Sequence, residues 1–92
     1  MQLINIGFSN MISAGRIVAV ASPESAPVKR LIQDSRENGR AIDCTAGKKT
    51  KSVLIMDSDH VVLSSLPPET ILQRIEGVAE DKDPEETSEA ER

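Results

Sequence analysis

Gln2 to Phe8 alternates apolar and polar residues, with Ile4, Ile6 and Phe8 on one side, which is the period of a strand. Ser9 and Asn10 read as a turn. Gly15 precedes Arg16 to Ala21, a Val- and Ile-rich run that reads as a second strand. In Ser22-Pro-Glu-Ser-Ala-Pro27, Ser25 suits an N-cap and Pro27 suits a first helical turn, where amide hydrogens lack helical partners. Val28, Leu31, Ile32 and Ser35 then recur at helical spacing, and Gly39 suits the left-handed residue that closes a helix. Arg40 to Thr45, Lys51 to Asp57 and His60 to Ser65 read as three further strands, the last two joined by a tight turn at Ser58-Asp59. Pro67-Pro-Glu-Thr70 opens a short helix with Ile71, Leu72 and Ile75 on one side, ended by Gly77.

The pattern predicts an α+β domain in the order ββαβββα, a small, mostly antiparallel sheet with two helices. The fourth and fifth strands are apolar on both faces: Val53 and Ile55 alternate with Leu54 and Met56, and Val61 and Leu63 flank Val62. A sheet face left in water reads polar, so something covers both sides. Two arrangements satisfy this, the two helices of the same chain or a second subunit.

Composition divides the chain of 92 residues in two. Residues 1–76 hold nine Lys+Arg and eight Asp+Glu and form the expected domain. Residues 77–92 hold two Lys+Arg and seven Asp+Glu, with Val78 as the only larger aliphatic, and read as an acidic disordered tail. The formal charge of −4 therefore belongs to the tail, the domain being +1. The tail suits either a solubilising role or a screen over a basic site. Phe8 is the only aromatic residue, so the core is aliphatic and small. A lone cysteine, Cys44, makes no intrachain disulfide and suits a small core residue in a reducing compartment. With no such staple, a small domain points to self-association. The N-terminus lacks a signal-peptide pattern, and no apolar run approaches the roughly 20 residues that span a bilayer. A cytoplasmic protein is expected.

The charge of the domain is concentrated in Thr45-Ala-Gly-Lys-Lys-Thr-Lys51, between two apolar strands. Lysines prefer water, so a solvated hairpin loop accounts for this segment, and so does a site for a polyanion. The segment is not a phosphate-binding P-loop, because Ile42 stands at the first glycine position and Lys49 at the hydroxyl position. Asp57, Asp59 and His60 are too few for a metal site and suit turn chemistry, the carboxylates bonding local amides. No nucleophile is paired with a base, so neither an enzyme nor a cofactor or small-molecule substrate is expected.

Leu3-Ile-Asn-Ile-Gly-Phe8, Ser22-Pro-Glu-Ser-Ala-Pro27 and Ile55-Met-Asp-Ser-Asp-His60 together resemble the extracellular matrix regulatory protein A (RemA-like) family, formerly a domain of unknown function, and the resemblance runs to about Ile75. It implies a bacterial DNA-binding transcriptional regulator of biofilm-matrix genes. It also implies a ring-like homo-oligomer that bends or wraps double-stranded DNA. The family's DNA-binding positions correspond to Arg16, Lys48 and Lys49. Lys51 adds a further positive charge to the same loop. Where the family commonly has Gly-Arg-Arg-Thr-Arg, this chain has Gly47-Lys-Lys-Thr-Lys51, which keeps the charge for phosphate but loses the planar fork that reads guanine bidentately. An assembly module whose lysines hold an acidic protein is the alternative function. An RNA binder would need surface aromatic platforms that the composition lacks. Lys29 and Arg30, on the first helix, are the second place to look for a DNA contact.

Overall fold

The computed structural model describes residues 2–77; the expected tail beyond Gly77 and Met1 lie outside the described residues. Strands β1 (Leu3–Asn5), β2 (Met11–Ser13) and β3 (Ile17–Ala21) come first, with a 3-10 turn at Ala14–Arg16 between the last two. Helix α1 (Ala26–Glu37), strands β4 (Ala41–Asp43), β5 (Ser52–Met56) and β6 (Val61–Ser64), and helix α2 (Pro68–Glu76) follow. The expected order is present, with β2 as an additional three-residue strand that pairs antiparallel with β1. The other strands form a sheet in the order β3-β5-β6-β4, antiparallel except for the parallel pair β4 and β6.

Both faces of β5 and β6 are covered within the chain. In register, Leu54 lies opposite Val62 and Val53 opposite Leu63. Leu54 and Val62 face Ile4, Ile6, Leu66 and Ile71. Val53, Val61 and Leu63 face Val28, Leu31 and Ile32 of α1. The apolar pattern of these two strands thus reports two small cores, one on each side of the sheet, rather than a subunit interface. Each buried aliphatic side chain contributes about 1.5–3 kcal/mol.

The helix ends follow from their residues. The Val28 amide donates to Ser25 Oγ at 3.3 Å, and Gly39 takes φ +72° just past the Asn38 C-cap. Gly77 closes α2 with φ +77°. Within α2, Ile71 is fully buried, but Leu72 is 52% exposed and lies outside the apolar side expected for it. Arg74 takes the buried position instead, 3% exposed, its Nη1 donating to the Asn5 carbonyl at 2.7 Å. That bond fastens α2 to β1.

The first strand is shorter than its alternation suggests. After Ile6 the chain turns through Gly7, Phe8 and Ser9, all with positive φ, and the Ile6 amide donates to the Asn10 carbonyl at 2.8 Å. Phe8 therefore sits half-buried on a turn, outside both aliphatic cores. A side chain whose backbone is in the left-handed region no longer alternates with its neighbours, so period alone misplaces it.

Candidate nucleic-acid interface

The lysine-rich connection runs from the end of β4 to the start of β5 and is fixed at several points. Asp43 Oδ1 accepts from the Thr45 amide at 2.9 Å and from Thr45 Oγ1 at 2.6 Å, and Thr45 is buried. The Thr45 hydroxyl, and then its amide, hold the Asp43 carboxyl below its ordinary pKa. The Lys48 amide donates to the Thr45 carbonyl at 2.9 Å, closing a turn whose central residues, Ala46 and Gly47, have φ +52° and +82°. Two left-handed central residues are the pattern of a type I′ turn. At the far end, the Lys51 amide donates to the Ser64 carbonyl at 2.8 Å. Lys48, Lys49 and Lys51 project from this anchored segment, and all three are exposed. Among the described residues, no carboxylate lies within ion-pair distance of any of them.

Arg16 occupies a different place. It ends the 3-10 turn before β3, and its side chain is 69% exposed. Because β3 runs antiparallel to β5 with Ile17 opposite Met56, Arg16 stands beyond the end of β5 while Lys51 stands before its start. Six residues of extended chain separate those ends by about 20 Å. Arg16 Nη1 lies 3.5 Å from Asp57 Oδ2, and the Asp57 amide donates to the Arg16 carbonyl at 2.9 Å. The three lysines are thus brought together, and the arginine is held apart from them beside a carboxylate. The Asp57 side chain, expected to bond an amide of its own turn, faces Arg16 instead.

The fold adds one cation to the lysine end. Lys29, in the first turn of α1, lines an open cleft together with Lys49 and Lys51. Chain order separates Lys29 from Lys49 by twenty positions, so only the packing of α1 over the sheet reveals the proximity. Arg30 is exposed and does not line the cleft.

The remaining polar candidates serve the turn or the core. Ser58 Oγ and His60 Nδ1 are 2.7 Å apart, and the Asp59 amide donates to the Met56 carbonyl at 3.1 Å. Among the described residues, no group of three or more His, Cys, Asp or Glu is placed to hold a metal ion. Cys44 is half-buried against the core, and burial, followed by the nearby Asp43 charge, pushes its thiol pKa up. Such a thiol is a poor nucleophile at neutral pH. No helix among the described residues is long and apolar enough to cross a membrane.

Fold and site together define a small α+β domain that presents an anchored cationic loop. Residues 3–75 match the RemA-like family, described as extracellular matrix regulatory protein A-like. The chain is 57% identical over 77 residues to "Putative regulatory protein GK1166" of Geobacillus kaustophilus, covering 84% of this chain and 88% of that one. A Clostridium botulinum protein with a name of the same form is 54% identical over 83 residues, covering 90% and 91% of the two chains. A Bacillus pumilus relative is 59% identical over 75 residues, covering 82% and 84%. The chain belongs to the RemA-like family.

Proposed function

We propose that this protein is a bacterial regulator that binds double-stranded DNA through its lysine-rich loop and does so as a ring-like homo-oligomer. The observation that carries the reading is the loop itself: three exposed lysines on a hydrogen-bonded turn, with no carboxylate partner among the described residues. Lysine is costly to bury and strongly hydrated, so its natural partner is a phosphate at the surface. A preformed turn spends little conformational entropy on presenting those charges.

Repetition in a ring addresses two features of the single subunit. Four charges give modest, salt-sensitive affinity, and a symmetric assembly multiplies them. Arg16 and the lysines lie at opposite ends of β5, so one subunit offers two separate patches and a ring offers an alternating series. DNA that follows such a series bends, and specificity then comes partly from deformability. The surface that supports self-association is a groove of about 570 Å³ between β3 and α2, where Val18 is 67% and Leu72 52% exposed. Strand β3 is also an edge of the sheet. Residues 1–76 form the DNA-binding and assembly domain in this reading, residues 77–92 an acidic appendage, and biofilm-matrix genes the regulated targets.

Fluorescence anisotropy with a labelled duplex across a salt series tests the reading. Binding should weaken linearly in log affinity against log salt, and light scattering should give a mass several times 10.0 kDa. A monomer with no affinity for duplex DNA at low salt, but with affinity for an acidic protein, would replace it with the assembly-module function.

A further inference from the structure

The cleft that gathers Lys29, Lys49 and Lys51 lies where the two helices begin. Its volume is about 690 Å³, and its wall also includes Ser22, Thr50 and the proline pair Pro67-Pro68. Ser22 precedes α1, and Pro67 and Pro68 are the N-cap and first residue of α2. The segment leading into α1, Lys29 of its first turn and the first residues of α2 therefore border the cleft, the two helices packing on opposite sides of the sheet. A helix N-terminus carries the positive end of its macrodipole, about half an elementary charge. Three ammonium groups thus favour an anion at one place, with the dipole of α2 adding to them through its charge rather than through amide donors, since Pro67 and Pro68 carry no N–H. Glu24 also lines the wall and offsets part of this, whereas Glu69 of α2 lines the groove against β3 instead. Lysines outnumber the carboxylate on the lining by three to one.

We propose that this cleft is a phosphate subsite for the DNA backbone, continuous with the lysine loop, and that Lys29 is a DNA-contacting residue. The proposal rests on the DNA-binding reading and adds to it a contact made by α1 rather than by the loop. Lys49 and Lys51 reach the site from the loop and Lys29 from the helix, so a phosphate between them touches two elements at once. The prolines give an apolar wall suited to the carbon skeleton of a deoxyribose beside that phosphate. An open cleft at the surface admits a continuous polymer. Lysine, with three freely rotating donors and no fixed fork, fits backbone rather than base contact.

The test compares the full-length protein with Lys29→Gln, Lys29→Arg, Arg30→Gln and Lys48→Ala with Lys49→Ala, by anisotropy with a labelled duplex over a salt series. Circular dichroism and light scattering confirm that fold and assembly are retained, as expected for exposed residues. Lys29→Gln should lower affinity about fivefold at about 0.15 M salt and reduce the salt slope by about 0.9 for each engaged subunit. Lys29→Arg should restore both, and Arg30→Gln should change neither. Wild-type behaviour of Lys29→Gln beside a weakened loop double variant would remove the subsite and leave the loop as the DNA contact. Equal losses from Lys29→Gln and Arg30→Gln would show a diffuse helix charge and also overturn the subsite. Wild-type binding by the loop variant and Lys29→Gln alike would overturn the subsite and the DNA-binding role of the loop. Inorganic phosphate and ATP serve as competitors. Displacement of DNA by ATP at micromolar concentration, with Lys29→Gln abolishing that displacement, would assign the cleft to a free phosphorylated ligand and overturn the DNA assignment.

Discussion

The two ends of β5 carry positive charge in different ways. At its start, the lysines stand on a turn anchored by Thr45, Asp43 and Ser64, and no carboxylate among the described residues lies within ion-pair distance of them. At its end, Arg16 stands beside Asp57, at a distance where the pair is loose and solvated. Exposed pairs of this kind contribute about 0–1 kcal/mol, so the arginine is restrained but available. The contrast teaches that the lysine end is ready to bind an anion, whereas the arginine end exchanges one carboxylate for another acceptor. Under the proposed DNA-binding role, an incoming phosphate would displace Asp57 at one end and water at the other.

The largest expected effect breaks the lysine end. Lys48→Ala with Lys49→Ala should weaken DNA binding on the order of 30-fold per engaged subunit at about 0.15 M salt, from two lost phosphate contacts. Stability should stay within about 0.5 kcal/mol, because both side chains are exposed. Urea unfolding and anisotropy measured on the same preparation separate the two quantities, and unaltered binding would return the loop to a plain solvated connection. Next in size is the shape of the turn. Gly47 has φ +82° and open space where a Cβ would sit, so Gly47→Ala tests backbone conformation alone. It should cost about 1 kcal/mol in unfolding free energy. A smaller change would mean that the turn relaxes without penalty and does not present the lysines rigidly.

At the other end the effect is smaller and of opposite sign. Asp57→Asn removes the charge beside Arg16 and should raise DNA affinity about threefold at low salt, with stability changed by less than about 0.5 kcal/mol. Arg16→Ala should cancel that gain in the double variant. If Asp57→Asn leaves binding unchanged, the arginine end does not meet DNA, and the lysine end acts alone.

Legibility differs between elements for physical reasons. Caps and periods are local, and Ser25, Gly39, Gly77 and the alternation in β5 and β6 are readable from the chain because each acts within a few residues. The β2 strand is not, since three residues between a turn and a 3-10 turn leave too short a period to detect. Arg74 is buried while Leu72, expected on the apolar side, is exposed, because a guanidinium that reaches the Asn5 carbonyl can be buried, and that carbonyl lies 69 positions away. The same limit applies to the site. The lysines of the loop are neighbours in sequence and are legible there, whereas Lys29 joins them only through packing, and the separation of Arg16 from them depends on the antiparallel register of β3 on β5.

The smallest effect concerns what holds the lysine end in place. The folded-state pKa of Asp43 is lowered from its ordinary 3.8, first by the Thr45 hydroxyl and then by the Thr45 amide. A carboxyl lowered in this way contributes stability that is fully present above its unfolded value and is lost as pH falls through the folded value. The stability difference between wild type and Asp43→Asn should therefore be constant at neutral and mildly acidic pH and shrink below 3.8. Urea midpoints across that range measure it, and a difference that stays constant well below 3.8 would show that the Thr45 bonds do not depend on the charge. Amide exchange localises the same event. The Lys48 amide, bonded to the Thr45 carbonyl, should lose protection on acidification in wild type relative to Asp43→Asn. The Asp57 amide, bonded to the Arg16 carbonyl at the far end of β5, should respond equally in the two proteins, because Asp43 anchors only the lysine turn.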